Sequence, residues 1–127
     1  MDLLLDTHAY IWFATNNSKL PKPVKKDIEN KDNNLFLSIA SLWEIAIKLQ
    51  IKKLEIGYTI EQVIELAEEN SFTILPIEPY HIIKLQSLKF HHRDPFDRIL
   101  AAQALGEKMH LVSADDIFDS YKVKRVW

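Results

Sequence analysis

The sequence predicts an α/β fold, a sandwich around a central parallel sheet of about five strands. Three observations lead there. Five short apolar runs begin at residues 2, 35, 72, 110 and 123, and each of the first three intervals has room for a helical crossover, the spacing of βαβ units. Between the runs, apolar residues recur at helical steps of three and four. Pro21, Pro23, Pro76, Pro79 and Pro95 all fall where an element should begin or end.

In chain order, the first strand is Asp2–Leu5, followed at once by Asp6-Thr7-His8. Leu35–Ser38 is the second, and Leu42, Ile45, Ala46 and Leu49 mark the helix after it, with Ser41-x-x-Glu44 shaped as a capping box at its start. Ile60, Val63, Ile64 and Ala67, with Glu61, Glu65, Glu68 and Glu69 on the other faces, form an amphipathic surface helix. Phe72–Leu75 is the third strand. Asp94 before Pro95 reads as an N-cap with proline at the first helical position, heading a helix through Ile99, Ala102 and Leu105 with Gly106 as its stop. His110–Val112 and Val123–Val126 complete the strands. Trp12, Trp43 and Trp127 are expected in the core.

Composition narrows the function. The chain has 127 residues, 18 acids against 16 Lys and Arg, no Cys, two Gly and 47% apolar residues, so a single domain over 1–127 can bury a core without staples. The absence of Cys excludes disulfide scaffolds, thiolate zinc sites and cysteine nucleophiles. No apolar run approaches the roughly 18 residues of a spanning helix, and Asp2 and Asp6 argue against a signal peptide, so no membrane partner is expected and the cytoplasm is the expected compartment. A formal charge of −2 does not suggest bulk coating of nucleic acid. Lys19, Lys22, Lys25 and Lys26, and separately Lys84, Lys89, Arg93 and Arg98, form basic stretches that read first as solvated faces.

The acids are placed more tellingly. Asp6 follows the first strand, Glu44 lies near the start of the second strand's helix, Asp94 and Asp97 head a later helix, and Asp115 and Asp116 follow the fourth strand. In a sheet with right-handed crossovers these positions share the carboxyl edge, where ligands of open α/β sheets bind. Any one of them reads as a helix cap. Together, crowded carboxylates raise one another's pKa unless a cation intervenes. Oxygen-only donors favour Mg²⁺ or Mn²⁺ over zinc, and such an ion supports phosphodiester cleavage without a nucleophilic side chain. No G-x-S-x-G, Walker A or G-x-G-x-x-G occurs. A receiver-like phosphoacceptor would need an acid pair after the first strand and an Asp after the third, where this chain has Leu75-Pro76-Ile77. A non-enzymatic binding module, its acids all caps, would cleave nothing.

The strings LLLDTHAYIW at 3–12, SIASLWEIAIK at 38–48, HRDPFDRILAAQA at 92–104, LVSADDIFDSY at 111–121 and the closing VKRVW resemble a PIN domain of the VapC type, the toxin half of a type II toxin–antitoxin pair. The resemblance runs the length of the chain. It implies a three-layer α/β/α fold with a parallel sheet, a Mg²⁺- or Mn²⁺-dependent ribonuclease acting on RNA, a homodimer, and inhibition by a cognate antitoxin. By motif, the family's four acids fall on Asp6, Glu44, Asp97 and Asp115, with Asp6, Asp97 and Asp115 as principal metal ligands and Glu44 completing the pocket. Ser113 would hydrogen-bond a ligand carboxylate. Asp94 and Asp116 are neighbours of the set, Asp94 assigned to the cap. Arg98 and Arg93 border the pocket and suit phosphate, Arg98 alternatively pairing with an acid; His8 and His92 could support ligands or touch substrate. Setting the four acids aside moves the formal charge from −2 to +2, so RNA could approach once metal is bound. Two departures stand out: Leu88-Lys89-Phe90-His91 replaces a frequent Leu-Pro pair, and residues 51–58 match loosely.

Overall fold

Strands covered by helices on both faces must be apolar on both sides, and these are. The computed structural model describes residues 1–127, with strands β1 (Asp2–Leu5), β2 (Asn34–Ser38), β3 (Phe72–Leu75), β4 (His110–Val112) and β5 (Arg125–Val126). They pair in the order β3-β2-β1-β4-β5, every pair parallel. The chain therefore walks outward from β1 through β2 to β3, then returns to place β4 on the other side of β1. The order reverses between β1 and β4.

Seven helices make the outer layers: α1 (Thr7–Ala14), α2 (Lys22–Glu29), α3 (Ile39–Gln50), α4 (Ile60–Glu69), α5 (Pro79–Ser87), α6 (Pro95–Glu107) and α7 (Ile117–Ser120). The period of two along each strand divides the core between them. Leu3, Leu5, Leu35 and Leu37 pack with Tyr10, Val24, Ile28, Ile45 and Val63 of α1 to α4. Leu4, Phe36 and Leu111 face Leu100, Ala101, Ala104 and Phe118 of α6 and α7. Ile99 and Ala102, on the opposite side of α6, meet Ala40 of α3 and Leu85 of α5. This is the α/β/α sandwich expected. No helix is long and apolar enough to cross a membrane.

Four local expectations need correction. Ser41 does not cap α3: the helix begins at Ile39, and Ser38 accepts from the Ala40 N–H, because the strand passes into the helix with no intervening loop. Gly106 does not end α6. The helix continues to Glu107 and stops at Lys108, which takes the left-handed conformation at φ 58° and ψ 43°. The last strand is only Arg125–Val126, since Val123 is drawn into the core beside Phe118 and Tyr121. Finally, Trp43 is 61% exposed and Trp127 38%; each rests one edge on an aromatic neighbour, Phe96 and Trp12 respectively. Trp12 packs at the margin of the core.

Candidate active site

The reversal of strand order places two chain segments side by side at the carboxyl edge. The Asp6 N–H donates to Val112 O at 3.0 Å, and with Leu5 opposite Val112, Asp6 follows β1 where Ser113 follows β4. Asp6 is also the N-cap of α1, its Oδ1 accepting from the Ala9 N–H at 2.8 Å. Extended backbone at Asp6 and a side chain folded back onto the first turn fix the carboxylate above the crevice, buried to 6% exposure.

On the other side of β1, the junction of β2 with α3 is held by Ser38, whose hydroxyl donates to Gln103 Oε1 at 2.6 Å while the Gln103 amide donates to Pro76 O at 3.2 Å. That bond draws α6 to the edge. The second turn of α3 carries Glu44, also buried. Thr7 Oγ1 donates to Glu44 Oε1 at 2.6 Å and lies 3.1 Å from Ser41 Oγ, while Lys48 Nζ sits 2.9 Å from Glu44 Oε2. Asp97 comes from the first turn of α6. Asp94 caps that helix, accepting from the N–H groups of Phe96 and Asp97 at 2.9 and 3.0 Å, and His92 Nε2 lies 3.2 Å from Asp97 Oδ2.

The electrostatics report crowding. Burial pushes the Asp6 carboxyl up, the Glu44 charge adds to the rise, and the Ser113 hydroxyl, the Ala9 N–H and His8 oppose it. Asp97 is pushed up to about 6, chiefly by burial and then by the charges of Asp94 and Asp6, with His92 acting the other way. Carboxylates that resist ionisation in one place constitute a site lacking positive charge. The donors are all oxygen, which fits a hard divalent cation. No three His, Asp or Glu side chains converge closely enough to close a cage around one. The arrangement therefore fits a hydrated ion held by one or two carboxylates, the way magnesium is commonly bound together with phosphate.

The other expected residues are placed as follows. Ser113 is fully buried beside Asp6, and its Oγ accepts from the Asp115 N–H at 3.0 Å. Asp115 is exposed and accepts from the Ile117 N–H at 3.1 Å, so it stands on the rim at the start of α7. Asp116 precedes α7 with no side-chain cap bond. Arg93 is exposed before α6. Arg98, expected at phosphate or against an acid, pairs with no carboxylate. It is 6% exposed, donates to Lys89 O, Leu88 O and Tyr121 Oη at 2.9, 3.3 and 3.1 Å, and stacks on Phe90 at 4.1 Å.

Three participants escaped the sequence reading. Thr7 adjoins Asp6, and Lys48 stands one turn beyond Glu44 at the i,i+4 spacing of an ion pair, so both had a local signal. Tyr121 had none: it meets His92 across 29 residues. A surface cleft of roughly 550 Å³, lined by Asn30, Asn33, Asn34, Asn70 and Thr73 among others, opens at the sheet's amino edge, away from the carboxylates.

A family model described as PIN domain matches residues 3–124. No curated protein matches the chain. Among solved structures, VapBC2 from Rickettsia felis bound to a DNA fragment from its promoter is similar at 17% identity and TM-score 0.73, over 99% of this chain and 98% of that one. VapBC-1 from nontypeable Haemophilus influenzae is similar at 18% identity and TM-score 0.73, over 99% and 97%. FitAcB from Neisseria gonorrhoeae follows at 17% identity and TM-score 0.67, over 98% and 96%. At such identities the likeness is one of fold. With the family model spanning nearly the whole sequence, the chain belongs to the PIN-domain family.

Proposed function

We propose that the protein is a Mg²⁺- or Mn²⁺-dependent endoribonuclease, the VapC-type toxin of a toxin–antitoxin pair, acting in the cytoplasm as a homodimer that a cognate antitoxin neutralises. The observation that carries the nuclease reading is the crowding of Asp6, Glu44 and Asp97 at the strand-order reversal, with Asp97 pushed up to about 6. The toxin reading draws on the five sequence blocks and on fold neighbours whose names are VapBC and FitAcB.

In this reading Asp6 and Asp97 would hold the ion, with Asp115 at the rim as a further ligand and Glu44 completing the acidic wall. Bound there, a divalent cation supplies an activated water and offsets charge on the attacked phosphate. The protein's own residues set the geometry. The Ala9 N–H orients Asp6, Thr7 and Lys48 hold Glu44 where it can orient a water, and exposed Arg93 offers a guanidinium to an RNA phosphate. Arg98 acts at a distance, fastening the loop before α6.

Incubation of the purified chain with RNA tests the reading. Cleavage should require Mg²⁺ or Mn²⁺, stop with EDTA, and fall by about a hundredfold or more in Asp6→Asn and in Asp97→Asn. Equal cleavage by Asp97→Asn discards the site; no metal-dependent cleavage returns the acids to the role of caps. Sedimentation of the chain alone, and with the product of a neighbouring short reading frame, tests dimer and antitoxin.

A further inference from the structure

Of the groups around the carboxylates, His92 is the one whose bonding partners dictate a direction. Its ring stands between Tyr121 Oη, 2.8 Å from Nδ1, and Asp97 Oδ2, 3.2 Å from Nε2. The Arg98 guanidinium has donors only, so Tyr121 Oη accepts from it at 3.1 Å. The tyrosine's own hydrogen then has two takers, His92 Nδ1 at 2.8 Å and His92 O at 3.4 Å, and the ring nitrogen is nearer. A nitrogen that accepts this hydrogen carries none, which puts the proton of the neutral ring on Nε2, facing Asp97. The bonds form a one-way chain: Arg98 donates to Tyr121, Tyr121 to His92, His92 to Asp97.

We propose that His92 is a positioning residue of the site, with its ring locked by Tyr121, holding Asp97 by Oδ2 and leaving Oδ1 free of protein hydrogen bonds to meet a divalent cation. The proposal rests on the nuclease reading above. A ligand carboxylate without such a partner turns about a broad torsion; one hydrogen bond from the protein sets its plane, and partners of this kind tune metal affinity. The anchor is strong for a segment with no regular structure. Residues 88–94 form neither helix nor strand, yet Arg98 bonds Leu88 O and Lys89 O and stacks on Phe90, and His91 packs edge-on against Tyr121 at 4.7 Å.

The test compares His92→Phe, His92→Gln, Tyr121→Phe and the double variant His92→Phe/Tyr121→Phe. Calorimetry with Mn²⁺ should show a dissociation constant raised about tenfold in each of the Phe variants. The double variant should lose no more than either single one, because both act through one chain. His92→Gln, whose amide nitrogen can replace Nε2–H, should recover most of the affinity. Nitrogen-15 spectra of the metal-free protein should show His92 as the Nε2–H tautomer, a preference lost in Tyr121→Phe. Multiplying losses in the double variant, unchanged affinity in His92→Phe, or an Nδ1–H tautomer would overturn the proposal. Should Tyr121→Phe not fold, the His92 pair decides it. If the unsubstituted protein takes up no Mn²⁺, the nuclease reading falls and the tautomer spectrum alone decides whether the chain of bonds exists.

Discussion

Burial does more than charge number to set the chemistry of Asp97. Its carboxyl titrates near 6 instead of 3.8, so between those values the native state keeps a proton that the unfolded chain has released. The resulting stability is fully present below pH 3.8 and is lost as pH rises through 6, a contribution of about 2 kcal/mol once partial exposure is allowed for. Metal-free Asp97→Asn should therefore be more stable than the unsubstituted protein near pH 7.5 by about 1 kcal/mol, the gap closing near pH 4.5, when both are unfolded in urea. An Asn variant less stable at both pH values would refute the repulsion argument. Glu107, held below its usual range by the Tyr80 hydrogen bond, is common to both proteins and cancels in the comparison. Asp6→Asn should behave in the same direction, since burial raises Asp6 as well.

The helix that carries Asp97 shows how capping and chemistry share residues. Asp94 bonds two free N–H groups of α6 and also presses on the Asp97 carboxyl, so the two roles separate by substitution. Asp94→Ala should cost about 1 kcal/mol in urea unfolding and Asp94→Ser nearly nothing. At the other end, Lys108 stands in left-handed conformation, a penalty for a side chain with a Cβ. Lys108→Gly should gain about 0.5–1 kcal/mol by the same measurement. The Asp94 cap was legible because Asp-Pro is a local signal. The true stop of α6 was not, because the last turn is decided by its packing against α5, where a Cβ at Gly106 would stand 3.6 Å from the His81 ring. Nor was the burial of α6 on every side. From Arg98 to Ala104 each residue is buried, since sheet, α3 and α5 enclose it, and helical periodicity alone would assign it one exposed face.

At the scale of the whole molecule, a cation bound only by the folded state should raise the melting temperature by mass action. A free concentration a hundredfold above the dissociation constant is worth about 2.7 kcal/mol, or several degrees for a chain of this length. Thermal unfolding with and without Mn²⁺ should show that rise in the unsubstituted protein and little of it in Asp97→Asn. The sequence by itself determined the first four strands, the parallel arrangement, the sandwich and the positions of the acids, because two-sided apolar runs, crossover spacing and helix-start signals are all read along the chain. Which side chains meet was decided only in three dimensions. Arg98 turned to the loop, Trp43 turned to solvent, Glu44 found Thr7, and His92 found Tyr121. The reason is physical: a helix can rotate about its axis without changing its sequence pattern, and only close packing against the sheet and its neighbouring helices fixes that rotation.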